Sequence, residues 1–270
     1  MSEGQQVETG TPRMLARRDG AIGWIIFNQP KKRNAVSIDM WAAVPGIVDA
    51  FLADPDIRVI VMKGAGDQAF IAGADISEFG EKRNSPEATQ EYDAVAGRAY
   101  RSLIQAPLPV IAMINGFCIG GGLAVALCAD IRIAADNARF AIPAARLGLG
   151  YGAEGARRLV EIVGPAFAKE IFFTARQFDA AEAQGMGLIN RVTTVDGLEA
   201  RVREDAGRIA ANAPLTIRAA KLTVDTLVRD PVDRDMAAVD QAVMDCFASA
   251  DFREGRTAFM EKRLPQFRGR

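Results

Sequence analysis

An α/β core with parallel-type crossovers, followed by a separate helical layer, is the fold class this sequence predicts. Three observations carry it. Apolar runs such as IRVIVMKG (57–64) and PLPVIAMING (107–116) read as strands buried on both faces. They alternate with helix-length amphipathic stretches over the first three quarters of the chain, the pattern of strand–helix crossovers. From about Gly197 to Pro265 the pattern turns helical throughout, with periodic apolar faces that need a partner.

Taken in order, residues 1–13 are polar, show no apolar leader run, and are expected to be flexible. Residues 14–28 form a hairpin, MLARR and IGWIIF joined at Asp19-Gly20. Ser37 caps a helix reaching about Ala53, with a kink or interruption expected at Pro45-Gly46. The 57–64 strand feeds the loop AFIAGADISEF, and a polar helix follows from Ser85 to about Gln105. The 107–116 strand leads into GFCIGGGLAVALCAD, a glycine turn entering a helix. DIRIAAD (130–136) and ARFAIP are further strands, helices cover roughly 152–163, 165–175 and 179–185, and GLINRV (187–192) is the last strand. The core thus spans 14–196 and the helical region 197–270.

With 49% apolar and 25% charged residues the composition is that of a globular protein, and a net charge of −1 gives no field to gather nucleic acid or anionic membrane. No run is long enough to span a bilayer, so a cytoplasmic protein is expected. The absence of histidine removes Ser-His-Asp and Cys-His mechanisms and most catalytic zinc sites, so no metal is expected. Cys118, Cys128 and Cys246 lie mostly in apolar contexts and read as buried thiols in a reducing compartment.

The chemistry concentrates in two loops. Gly120-Gly121-Gly122 stands between a buried strand and an apolar helix, where consecutive glycines are costly in backbone entropy. Glycine allows a ligand close to the backbone, and the helix start that follows offers unsatisfied N–H groups to an anion or developing oxyanion. The turn lacks the Lys-Ser/Thr ending of a phosphate-binding P-loop. The second loop, Ala69–Ile76, is also built of small residues after a buried strand. One donor from each loop could converge on a single carbonyl oxygen; taken alone, each loop is equally a tight packing turn.

Together these segments resemble the crotonase (enoyl-CoA hydratase/isomerase) superfamily over nearly the whole chain. FNQPKKRNAVS resembles its first strand and CoA-contacting loop, and FIAGADISEF its first oxyanion segment. PVIAMINGFCIGGGLAVALCAD resembles the second, and FTARQFDAAEAQGMGLINRV and FREGRTAFMEKRLPQF the later helices and tail. The resemblance implies a spiral of repeated ββα units with a C-terminal helical oligomerisation region, and a homotrimer or homohexamer. It implies an acyl-CoA substrate, with coenzyme A part of the substrate and no permanently bound cofactor. The Ala74 and Gly121 N–H groups would form the oxyanion hole, with Gly120 beside them. Ala72 and Asp75 would shape the adenine and pantetheine side, Ala35, Ile76, Gly120, Ala124 and Ala144 would also contact the substrate, and Lys32 and Arg33 would lie near the CoA phosphates, as the Lys31–Arg33 cluster could on charge alone. Phe259 and Lys262 in the tail would reach CoA, across a subunit boundary.

The sequence departs from the hydratase pattern at two positions. Hydration needs water delivered to Cβ and a proton to Cα, work suited to a pair of carboxylates. The positions where hydratases carry those glutamates are here Ala124 and Ala144. Three readings stay open: an enzyme of this family using the hole with another proton handler, a decarboxylase of a malonyl- or methylmalonyl-type thioester, and a catalytically weak acyl-CoA-binding protein. Tyr151 stands where methylmalonyl-CoA decarboxylases of the superfamily carry a tyrosine, although those carry histidine at the Ala74 position. Glu154, in the first turn of its helix, is a candidate relocated base. Asp130 reads as a structural cap, and Glu78, Glu81 and Asp93 as a solvated face.

Overall fold

The computed structural model describes residues 5–78, 80 and 84–270, the side chain of Glu154 excepted. Two sheets organise it. Strands β1 (Gln5–Val7), β2 (Met14–Asp19), β3 (Ile22–Phe27), β4 (Val59–Gly64), β6 (Val110–Ile114), β8 (Ile131–Ala135) and β11 (Arg191–Thr193) line up in that order in the larger sheet. The smaller sheet has the order β10 (Phe178–Asp179), β9 (Arg139–Ala141), β7 (Phe117–Ile119), β5 (Ala69–Ile71). Three successive passages, beginning with β4–β5, β6–β7 and β8–β9, each make a strand in the first sheet, a short one in the second and then a helix, which is a ββα spiral. From β3 through β11 the larger sheet is parallel.

The two faces of the larger sheet explain its apolar strands. Ile25, Phe27, Ile60, Met62, Val110 and Ala112 face the main core, beneath α1 (Ile38–Ala53) and α2 (Pro86–Gln105). Trp24, Val59, Val61, Ile111 and Ile133 face the other way, onto Leu198, Val202 and Ala206 of α6 (Leu198–Ala211). Helix α6, within the region the sequence sets apart as a helical tail, therefore closes the second face of the core. Beyond it α7 (Pro214–Leu227), α8 (Met236–Ala248) and α9 (Ala250–Glu261) pack in succession, α8 on α7 and α9 on α8.

Three expectations about the secondary-structure elements change. Residues expected to be flexible at the N-terminus include a strand, β1, paired antiparallel to β2 with Val7 opposite Ala16. Helix α1 runs unbroken through Pro45. Its stripe of Met40, Trp41, Val44, Ile47, Val48 and Phe51 is fully buried, at about 1.5–3 kcal/mol per large side chain, which outweighs the roughly 3 kcal/mol of an internal proline. The last strand covers Arg191–Thr193 only, because Leu188 and Ile189 turn into the core. At Gly164-Pro165 the helix α4 (Ala153–Thr174) does break, Gly164 standing at φ 74°, as the two separate helices of the sequence reading require.

Among charged residues, Asp130 holds a structural position: Oδ2 accepts the Val110 amide at 2.8 Å and the Lys221 ammonium at 2.8 Å. Glu78 is no solvated acid. Its Oε2 accepts the Ile38 amide at 2.9 Å and so caps α1. Glu81 lies outside the described residues. No helix among the described residues is long and apolar enough to cross a membrane.

Candidate active site

The smaller sheet brings the two loops together. Strands β5 and β7 are parallel neighbours, with Ala69 opposite Phe117 and Ile71 opposite Cys118. Parallel neighbours end on the same side, so residues 72–75 and 120–122 emerge side by side. The Gly120 amide donates to Ala141 O at 2.8 Å, which pins the second loop to β9. Val36 N donates to Gly73 O (2.8 Å) and Asp75 N to Val36 O (2.9 Å), fixing the first loop on both sides of Ala74. Neither the Ala74 amide nor the Gly121 amide has an acceptor among the described residues.

The three consecutive glycines have three different causes. Gly120 adopts φ +53°, a conformation that L side chains avoid. A Cβ on Gly122 would stand 2.1 Å from Ile71 O, so that glycine lets the helix pack on β5. Gly121 needs neither concession. A Cβ there would lie 3.5 Å from Ala74 N and 3.6 Å from the Trp41 ring edge, in ordinary contact, and its φ is not left-handed. What the missing side chain leaves is a space between two unpaired amides. Those nitrogens lie within about 6 Å of each other, a span one oxygen at hydrogen-bond distance from both can bridge.

The walls of this space are apolar. Ala124 is one turn beyond Gly121 on the same face of α3 (Gly121–Leu127), and its amide donates to Gly120 O at 3.0 Å. Ala144 belongs to a 3₁₀ turn, Pro143–Arg146, whose proline ring lies 3.9 Å from the Cβ position of Gly120. Ala124 thus follows Gly121 on its helix face, and Ala144 follows a proline that packs beside Gly120. Trp41, which the sequence reading did not single out, completes the wall; only the pairing of distant loops reveals it.

The first loop is also tied to the basic segment 31–33. Lys32 Nζ meets Asp75 Oδ2 at 2.7 Å and Ser77 Oγ at 2.9 Å. Asp75 is 5% exposed. Burial alone would raise its carboxyl, but the Lys32 ammonium and the Ser77 hydroxyl and amide outweigh it and hold it below the ordinary value. Ala72 N donates to Arg33 O (3.0 Å), and Ala35 O accepts from Gln29 Nε2 (2.7 Å). Buried Asn34, also unremarked in the sequence, donates to the Ala65 and Ala69 carbonyls at 2.9 and 2.8 Å. Arg33 keeps its guanidinium over the Phe117 ring, 4.9 Å from the centroid. Lys31 makes no ion pair among the described residues, so Lys31 and Arg33 are the cations left for an anionic ligand. Ile76 is 71% exposed on the same rim.

The remaining candidates lie on other elements. Tyr151 packs on Phe172 with ring centroids 5.0 Å apart while remaining 38% exposed, and partial desolvation, with a smaller contribution from the Cys128 thiol, pushes its phenol above the ordinary value. Glu154 is the second residue of α4, and its side chain lies outside the described residues. Phe259 is 83% exposed on α9, and Lys262 ends that helix in the left-handed conformation, φ 56°.

The ββα spiral brings two backbone amides without acceptors among the described residues, those of Ala74 and Gly121, onto neighbouring loops. The particular family follows from comparison. The enoyl-CoA hydratase/isomerase profile matches residues 17–270, and the chain belongs to that family. It is 36% identical over 254 residues to a crotonyl-CoA hydratase of Syntrophomonas wolfei, covering 94% of this chain and 97% of the relative. It is 35% identical over 257 residues to the carnitinyl-CoA dehydratase of Escherichia coli, with the same coverage of 94% and 97%. A solved structure of an enoyl-CoA hydratase/carnithine racemase from Magnetospirillum magneticum superposes with a TM-score of 0.93 at 35% identity, covering 98% of this chain and 97% of that one.

Proposed function

We propose that the protein binds an acyl-CoA thioester, accepts its carbonyl oxygen between the Ala74 and Gly121 amides, and stabilises the thioester enolate. The observation that carries this is Gly121, a glycine whose missing side chain serves neither conformation nor packing and opens onto two unpaired N–H groups. Preorganised donors aimed at developing charge are usually the largest single contribution in such chemistry. Relatives named for crotonyl-CoA and carnitinyl-CoA support a CoA ester as the ligand. The Lys31 and Arg33 cations support a phosphate-bearing one. No resident cofactor enters this reading.

The apolar flank favours a particular version. With methyl groups at Ala124 and Ala144, a reaction that needs a paired acid and base is handicapped by roughly 10²–10⁴-fold for each missing group. Decarboxylation of a malonyl-type thioester needs no base. The bond between Cα and the carboxylate breaks, carbon dioxide leaves, and the electron pair moves into the enolate held in the hole, to be protonated afterwards by water.

The test is a panel of crotonyl-CoA hydration, 3-enoyl-CoA isomerisation, and malonyl- and methylmalonyl-CoA decarboxylation, with CoA-ester binding measured by calorimetry. Turnover on any arm supports an enzyme, and decarboxylation alone supports the second version. Saturable binding without turnover leaves a weak acyl-CoA-binding protein. Absence of binding to every CoA ester overturns the reading.

A homotrimer or homohexamer belongs to the same proposal. Met244, Phe247, Phe259 and Met260 are exposed on α8 and α9, a surface a second copy would cover. A monomer mass in sedimentation of the intact chain would refute it. The free thiols suit a cytoplasmic setting.

A further inference from the structure

We infer that Trp41 is a specificity-determining residue of this site, its indole edge limiting substitution at the acyl carbon next to the thioester carbonyl. The inference rests on the acyl-CoA reading above and deepens it.

The ring is 1% exposed and held from two sides by α2. Its Nε1 donates to the Tyr92 hydroxyl at 2.9 Å, and its face meets the Tyr100 ring edge-on, centroids 5.2 Å apart and planes at 69°. A buried indole whose N–H is satisfied and whose ring is clamped has one orientation to offer. In that orientation Cζ2 lies 3.6 Å from the point where a Gly121 side chain would begin, and that point is 3.5 Å from Ala74 N. The ring edge thus bounds the same small space that the two amides open onto.

An acyl carbonyl seated there carries its α-carbon into a region bounded by the Trp41 edge. That wall is stiff, because Trp41 is clamped by Tyr92 and Tyr100. A straight acyl chain meets it at one CH₂, whereas an α-methyl branch requires room for a further carbon. Tight apolar walls discriminate one such carbon by about 10–200-fold. The site therefore selects thioesters unbranched at the α-carbon.

The experiment measures dissociation constants of butyryl-CoA and isobutyryl-CoA on the full-length protein. Neither ligand carries the double bond or carboxylate on which the proposed turnover depends. Wild type is expected to prefer butyryl-CoA by at least about tenfold. Trp41→Phe, which withdraws the benzo edge while keeping an aromatic ring in the core, is expected to bring the ratio within about threefold. A merely structural tryptophan would weaken both ligands together and leave the ratio unchanged.

A second readout needs no variant. The chain has two tryptophans, and Trp24 faces the opposite side of the larger sheet, toward α6. Butyryl-CoA should therefore change tryptophan emission through Trp41, and CoA without an acyl group should not. The inference is overturned by a wild-type ratio within threefold, by an unchanged ratio in Trp41→Phe, or by emission indifferent to the acyl group. If wild type binds no CoA ester, acetyl-CoA included, the underlying functional reading fails instead.

Discussion

Replacing Gly121 by alanine separates a glycine kept for packing from one kept for a ligand. An added methyl would stand 3.5 Å from Ala74 N, 3.6 Å from the Trp41 edge and 3.8 Å from the Gly73 carbonyl carbon. All three are ordinary van der Waals separations, so the fold can accept it. Gly121 is the first residue of α3, and alanine in a helix is favoured over glycine by up to about 1 kcal/mol. Stability should then hold or rise slightly, by no more than about 2 °C in Tm for a chain of this size. The methyl, however, fills the space between the two amides and denies the oxygen one of its donors. Loss of one oxyanion donor lowers kcat by roughly 10²–10³-fold, or about 3–4 kcal/mol of transition-state stabilisation. Gly122→Ala is the contrast, since its methyl would lie 2.1 Å from Ile71 O and force helix and strand apart, at about 1–3 kcal/mol or more. The assay is turnover on whichever thioester the panel identifies, paired with thermal unfolding. A folded Gly121→Ala protein within threefold of wild-type rate would refute the reasoning. Gly121→Pro removes the donor outright at a position where helices tolerate proline, and should abolish turnover while the circular dichroism spectrum is kept.

Other consequences can be checked independently. Ala124→Glu combined with Ala144→Glu restores the missing carboxylates and should raise crotonyl-CoA hydration by at least about 10²-fold, measured by loss of enoyl absorbance; an unchanged rate with CoA-ester binding intact would remove these positions from the chemistry. Asp75→Asn should cost about 2 kcal/mol in urea unfolding at pH 7, through the lost Lys32 and Ser77 interactions. Because the folded carboxyl is held low, that stability is present above the unfolded value near about 4 and is lost as pH falls through the folded value, so the two proteins should converge in acid. A difference that persists undiminished at low pH would assign it to packing. Finally, Cys128 is buried with its thiol pushed up to about 12, and Cys118 is buried with its thiol also raised, while Cys246 is half-buried. Alkylation of the native protein at pH 8 should modify Cys246 alone, and all three in urea; labelling of Cys118 or Cys128 in the native state would contradict their packing.

Much of this was legible in the chain because it is local. Hydrophobic runs marked β3, β4 and β6, the polar stretch from Ser85 marked α2, and the separate helices read over 152–163 and 165–175 matched the break in α4. The ordered glycine loops, read with the flanking motifs, were enough to place the family and to nominate Ala74 and Gly121, and the two alanines are visible by inspection. Continuity of α1 through Pro45 was hidden, since it depends on how much of its opposite face is buried. The structural roles of Glu78 and Asn34, and the closure of the second sheet face by α6, depend on partners distant in sequence.

The sequence by itself determined which residues could stabilise a thioester oxyanion and that the usual paired acids are missing. Only the tertiary structure decided that the two amides share one space, because the pairing of β5 with β7 is a contact between segments nearly fifty residues apart. The same contact decided which of three adjacent glycines leaves a space beside the Ala74 amide, a distinction that depends on what each absent side chain would meet and is invisible in GGG.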